Sequence, residues 1–133
     1  MKLSYWMVAK AVVELFFGIG FVLMPVTVGA VFGMNLNAGG ALMAQLFGVA
    51  FIFGSIVLWL ARNAPSSDAA LRAIVLAVVV SNALGFVVTL LATLSGIWNA
   101  LGWLPVGLYL VFGLGFASYL LVKPVAKTPP LKA

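Results

Sequence analysis

Four polar side chains interrupt the apolar stretches of this chain and are its candidates for chemistry: Glu14, Gln45, Asn82 and Tyr109. Each belongs to a different apolar segment. A helix rises 1.5 Å per residue, which places all four about 15 to 21 Å from one end of their segments. Ionisable and amide groups in apolar surroundings are costly unless they are paired. The four residues therefore form a candidate site at a shared depth.

This polar level has two interpretations. An intramembrane carboxyl with polar neighbours is typical of a proton-coupled site, or of a pocket for the polar head of a quinone, lipid or pigment. Alternatively, Glu14, Gln45 and Asn82 are hydrogen-bonding groups between helices, each contributing about 1 kcal/mol. Lys10 lies one helical turn before Glu14 and can pair with its carboxylate under either interpretation.

Other kinds of chemistry lack the side chains that they require. The chain contains no Cys and no His, so thiolate chemistry and imidazole ligands or bases are excluded. Its two acidic residues are Glu14, in an apolar segment, and Asp68, in a distant hydrophilic loop, which excludes paired-carboxylate hydrolysis. We therefore predict that the protein is not an enzyme and holds no cofactor or metal.

Composition identifies the class of protein. The chain has 133 residues, of which 65% are hydrophobic and 7% are charged, whereas a soluble domain is about 25% charged. Such a chain belongs in a lipid bilayer. Its net charge of +5 does not predict nucleic-acid binding, because the basic residues are spread over several segment ends and form no patch.

Four apolar segments have the length of membrane spans. We predict an all-α fold, with four transmembrane helices in an antiparallel bundle, at residues 4–24, 39–61, 69–91 and 100–122. Pro25 is suited to the first position of a short interfacial helix that follows the first span and stops at Gly33. Residues 1–122 form one domain in this prediction, and residues 123–133 a disordered cytoplasmic tail. If the first span began at Ala11 instead, Glu14 would lie near the headgroups.

The basic residues predict how the chain is oriented. All seven lie before the first span, early in it, around the second loop or after the fourth span: Lys2, Lys10, Arg62, Arg72, Lys123, Lys127 and Lys132. The first and third loops carry none. By the positive-inside rule, both termini and the second loop are cytoplasmic.

Small residues predict where the helices pack. In the third span they recur every four residues, at Ala69, Ala73, Ala77, Ser81, Gly85, Thr89 and Thr93. Small side chains let membrane helices approach closely, so we expect a packing face here. Gly48 in the second span and Gly113 in the fourth are the expected packing partners of this face. A fixed four-residue repeat drifts around a helix by about 40° per step, so one partner helix need not cover the whole stripe.

Three stretches carry a family resemblance: residues 14–25, the stretch from Gln45-Leu46-Phe47-Gly48 to Arg62, and residues 95–103, which begin Ser95-Gly96-Ile97-Trp98-Asn99. Together they resemble small bacterial four-helix membrane proteins of the DoxX-like group. The resemblance implies an accessory role near quinone or redox-associated membrane complexes and assigns no residue a function.

Glu14 also matches the essential carboxylate in the first helix of the small multidrug resistance transporters. The rest of the pattern departs from that family, because the third-helix glycine motif and the aromatic substrate box have no counterpart. Several of those dimers insert in both orientations and keep a low charge bias, whereas here all seven basic residues fall on one side.

Two functions follow as expectations. The first is a structural or accessory subunit of the bacterial inner membrane that packs against itself or a larger complex. The second is a proton-coupled transporter, or a binder of an amphipathic quinone, lipid or pigment, with Glu14, Gln45, Asn82 and Tyr109 lining the site.

Overall fold

The computed structural model of the chain describes residues 2–122, and every regular element among them is helical. The elements are α1 (Leu3–Leu23), α2 (Pro25–Val31), α3 (Ala38–Ala61), α4 (Ala69–Leu94), a 3₁₀ helix (Ala100–Gly102) and α5 (Trp103–Val122). The predicted all-α fold is confirmed, with four helices of membrane-spanning length and a short helix after the first. The tail predicted at residues 123–133 lies outside the described residues.

The helices begin and end where local chemistry allows. Asn37 and Asp68 cap the first turns of α3 and α4, accepting hydrogen bonds from the backbone N–H groups of Gly40 and Ala70 at 2.8 Å each. Pro25 occupies the first position of α2, where its missing N–H has no cost. The segment after α2 turns at Gly33, whose φ of 84° is easily adopted by glycine. α1 begins at Leu3 and not at Ala11.

The four long helices form two pairs. α1 packs along α3, and α4 packs along α5, whereas contact between the two pairs is made mainly by α1 and α5. Trp6 of α1 is central to that contact, because its indole lies against Gly115 and its ring centroid is 6.2 Å from that of Phe112. α3 and α4 are consecutive in the chain but do not pack along each other.

The tightly packed core lies toward one end of the bundle. This end carries Lys2, Arg62 and Arg72, and we call it the basic end. Seven buried residues form the core there: Met7, Ala11, Leu58, Leu71, Val75, Phe112 and Phe116. Large apolar side chains cover the outside of all four long helices, as expected for a surface that faces lipid and not water.

The opposite, uncharged end is held together by a clasp between the two helix pairs. The clasp consists of residues 31–34, at the end of α2, together with Trp98 and Asn99, which follow α4. Asn99 donates from its backbone N–H to the Phe32 carbonyl and from its amide to the Val31 carbonyl, both at 2.9 Å. The Trp98 indole N–H donates to the Met34 sulfur at 3.0 Å. The two pairs therefore meet at both ends.

Candidate functional site

A buried polar cluster joins the two helix pairs between these ends. Lys10 Nζ lies 2.9 Å from Glu14 Oε1, one turn further along α1, and donates to Asn82 Oδ1 on α4 at 3.3 Å. Lys10 is 6% exposed and Asn82 is fully buried. The Asn82 amide is fixed in turn by donating to the Val78 carbonyl. Each charge thus has a partner, which a low-dielectric environment requires.

Aromatic rings surround the Lys10 ammonium on its α5 side. Its Nζ lies 5.3 Å from the ring centroid of Phe112 and 5.9 Å from that of Tyr109. A cation at this distance from ring faces is attracted by their quadrupoles. The predicted residues Glu14, Asn82 and Tyr109 therefore meet around Lys10.

Two glycines make room for the cluster. A Cβ on Gly54 of α3 would lie 2.8 Å from Glu14 Oε2, so the carboxylate rests directly against the α3 backbone. A Cβ on Gly85 of α4 would overlap the Tyr109 ring. Larger residues at either position would displace a cluster side chain.

One oxygen of the cluster has no partner. Among the described residues, Glu14 Oε2 is buried and accepts no hydrogen bond. An unsatisfied buried acceptor of this kind destabilises a fold by about 1–3 kcal/mol, and each such atom in a structure calls for an explanation.

The cluster forms the polar wall of a cavity of about 1060 Å³. The cavity extends from Leu58 and Phe112, at the edge of the core, to Phe32, Met34 and Trp98 in the clasp. Its lining is otherwise almost wholly apolar. Sites for small molecules commonly measure about 300–1000 Å³ and combine apolar walls with a few polar groups, so this cavity is large enough for such a ligand.

The cavity opens sideways, between α3 and α4. Exposed residues of both helices belong to its lining: Met43, Phe47 and Phe53 on α3, and Ala77, Ser81, Leu84 and Val88 on α4. Because these two helices do not pack along each other, the gap faces the surroundings of the bundle. In a bilayer those surroundings are lipid chains, so an apolar molecule can enter without passing through water.

Gln45 is the one predicted site residue that lies elsewhere. Its amide donates to the Val22 carbonyl of α1 at 3.1 Å, and it does not line the cavity. Gln45 and Gly54 are nine residues apart, or about two and a half turns, and therefore point to opposite sides of α3. Residues that lie at the same depth along their helices therefore need not point toward the same cavity.

The predicted packing residues have several different surroundings. Gly48 lies against Gly18 of α1, where an added Cβ would meet the Gly18 carbonyl oxygen at 2.7 Å. Gly113 lies beside Asn82, and Gly85 beside Tyr109. Ala73, Ala77 and Ser81 are exposed, and the last two line the cavity. The drift of the four-residue repeat explains the split, because three steps turn the stripe by about 120°.

Sequence reasoning missed Gly54 and Ser55. Ser55 is buried and donates to the Ala11 carbonyl at 2.7 Å, which ties α3 to α1 beside the cluster. Small residues are frequent in any membrane helix, so nothing in the sequence distinguished these two. Within residues 2–122, no three potential metal ligands among His, Cys, Asp and Glu come together.

The fold defines a class: a multi-pass helical membrane protein with a laterally open cavity. Comparison of the chain with known protein families, curated proteins and solved structures found no significant match.

Proposed function

We propose that this protein binds an amphipathic small molecule within the bilayer. The observation that carries the proposal is the cavity, with apolar walls, a lateral opening and one buried polar cluster at Lys10, Glu14 and Asn82. The apolar part of the ligand lies along the walls between α3 and α4, and its polar head lies at the cluster. Quinones, lipids and pigments all have this construction.

Binding accounts for the cluster better than proton-coupled transport does. The Glu14 carboxylate is held 2.9 Å from the Lys10 ammonium, and that ammonium is held by Asn82. A carboxylate paired in this way is suited to orienting a ligand, whereas a transport cycle requires it to exchange its proton repeatedly.

The direct test is to purify the protein in a mild detergent and identify what remains bound. We expect native mass spectrometry to find one amphipathic molecule per chain, and extraction with organic solvent to release it for identification. A cavity that contains only exchangeable detergent, under every mild condition tried, would contradict the proposal.

A second candidate is the accessory subunit, which one observation favours. Ala73, Ala77 and Ser81 form a stripe of small exposed side chains on α4, and small residues let another membrane helix approach closely. The same purification tests this candidate. A co-purifying chain or a stable oligomer would support it, and a monomer at every protein concentration would contradict it.

We further propose the bacterial inner membrane as the location, with both termini cytoplasmic. The DoxX-like resemblance supports the location. The charge distribution supports the orientation, because the loops at residues 24–37 and 95–102 contain no charged residue.

Because the chain has no native cysteine, this orientation can be tested with single-cysteine variants. Ser66 and Ile97 are exposed in loops at opposite ends of the bundle. In spheroplasts, we expect a membrane-impermeant maleimide to label Ile97→Cys and to reach Ser66→Cys only after the membrane is permeabilised. The reverse pattern would contradict the proposed orientation.

A further inference from the structure

At the polar wall of the cavity, Lys10 has hydrogen-bond partners, whereas one oxygen of Glu14 has none. The Lys10 ammonium gives one hydrogen to Glu14 Oε1 and another to Asn82 Oδ1, and lies against the rings of Phe112 and Tyr109. Two of its three N–H donors are therefore engaged by side-chain oxygens. Glu14 Oε2 is in the opposite situation, because no described residue donates to it.

The carboxylate that carries this oxygen borders the cavity. Glu14 and Gly54 both line it, and the Glu14 side chain is 12% exposed, although Oε2 itself is buried against Gly54. The terminal torsion of a glutamate has a broad energy profile. Rotation about this torsion is the movement by which Oε2 would turn from the α3 backbone toward the cavity, where a hydrogen-bond donor on a ligand would satisfy it.

Charge narrows the choice of ligand. Lys10 and Glu14 neutralise each other, and among residues 2–122 no other charged side chain lines the cavity. A charged head group would add an uncompensated charge in a low-dielectric site, which costs several kcal/mol. An anionic head would also be repelled by the unpaired oxygen of the Glu14 carboxylate, while two of the three donors of Lys10 are already occupied. A neutral head with a donor avoids both costs.

We propose that the cavity selects amphipathic molecules whose head is a neutral hydroxyl group, which donates its hydrogen bond to Glu14 Oε2. This inference rests on the proposed binding function and specifies the class of ligand. It separates alcohols and phenols from their ethers, from carbonyl compounds and from fatty acids.

Three probes with the same chain length test the inference: 1-hexadecanol, hexadecyl methyl ether and palmitic acid. Each is added at equal mole fraction to phosphatidylcholine nanodiscs that contain the protein, and occupancy is measured by native mass spectrometry. Hydrogen bonds to charged groups contribute enough for about a tenfold preference or more. We expect hexadecanol to bind at least about tenfold more tightly than either of the other probes.

Two variants assign the preference to the carboxylate. In Glu14→Gln the acceptor is neutral and Lys10 loses its counter-ion, so the preference for hexadecanol should fall several-fold and palmitate binding should rise. Lys10→Met combined with Glu14→Gln removes both charges and leaves no unpaired buried charge. In this double variant we expect the preference for hexadecanol over its ether to fall to about threefold, because neutral hydrogen bonds are only about half as strong.

The outcomes separate the two proposals. Equal binding of hexadecanol and its ether to the unmodified protein would overturn the hydroxyl inference and leave the binding function standing. A preference for hexadecanol that survives unchanged in both variants would also overturn the hydroxyl inference alone. Binding of none of the three probes, with an empty cavity after purification, would overturn both proposals.

Discussion

At the scale of single residues, the main feature is an ion pair inside a membrane helix bundle. Lys10 and Glu14 are one turn apart on α1, and Asn82 of α4 completes the arrangement. Buried ion pairs contribute little net stability, but the removal of one partner leaves an uncompensated charge. This small net contribution agrees with the proposed role of the pair in ligand binding.

Charge removal at this pair should be strongly non-additive. Lys10→Met leaves the Glu14 carboxylate buried without a counter-ion, and we expect it to lower the free energy of unfolding by about 3 kcal/mol or more. The double variant Lys10→Met/Glu14→Gln has no such charge and should recover most of that loss. Unfolding in mixed detergent micelles, followed by circular dichroism, measures both effects. If the double variant lost as much free energy of unfolding as Lys10→Met and Glu14→Gln lose separately when added together, the pairing of Lys10 with Glu14 would be contradicted.

At the scale of helices, glycine determines which helices approach closely. α1 and α3 meet where Gly18 and Gly48 face each other, with the Gly18 carbonyl oxygen directly against Gly48. α4 and α5 meet where Tyr109 lies over Gly85. α3 and α4 lack such a contact, and the cavity lies between them. The bundle is therefore open between α3 and α4, the neighbouring helices that lack a close glycine contact.

The close approach of α1 and α3 predicts a contrast between two glycine substitutions. Gly48→Ala adds a Cβ against the backbone of α1, and we expect it to lower the free energy of unfolding by about 1–3 kcal/mol. Gly107→Ala on α5 is the matched control, because its Cβ would meet nothing within 4 Å. The control should leave stability unchanged or raise it by up to about 1 kcal/mol, because alanine favours a helix over glycine. If both variants changed the free energy of unfolding equally in the same assay, the close approach of α1 and α3 at Gly48 would be contradicted.

The helices could be predicted from the sequence because their signals are local. Apolar length, Pro25 and the capping side chain Asp68 define where helices begin or end. The predicted third span, residues 69–91, falls about one turn short of Leu94, where the helix ends. In the structure, the Thr93 hydroxyl is satisfied within the helix by donating to the Thr89 carbonyl.

The candidate site could be predicted in part. The fixed rise of a helix gives the depth of Glu14, Asn82 and Tyr109, and the structure brings these three together. The direction of a side chain depends on which helices pair, which is a long-range property. Gln45 therefore lies outside the cavity despite its depth, and Gly54, a common residue in membrane helices, gave no signal. Neither the cavity nor its opening follows from any local pattern.

At the scale of the whole molecule, two helix pairs are joined at both ends, and α3 and α4 are separated from each other between those ends. The core around Val75 and Phe116 joins them at the basic end, and the clasp of Trp98 with Met34 joins them at the uncharged end. Between these contacts the bundle encloses a cavity of about 1060 Å³ that opens toward lipid. This architecture supports the proposed binding of an apolar molecule with a polar head.

The measurement that tests this account most directly is ligand occupancy after the cavity is filled by a side chain. Ala77 and Ala73 are both exposed on α4, one turn apart, but only Ala77 lines the cavity. We predict that Ala77→Phe abolishes retention of the bound molecule in native mass spectrometry, whereas Ala73→Phe retains it at the level of the unmodified protein. Equal retention by the two variants would contradict the claim that the cavity between α3 and α4 is the binding site.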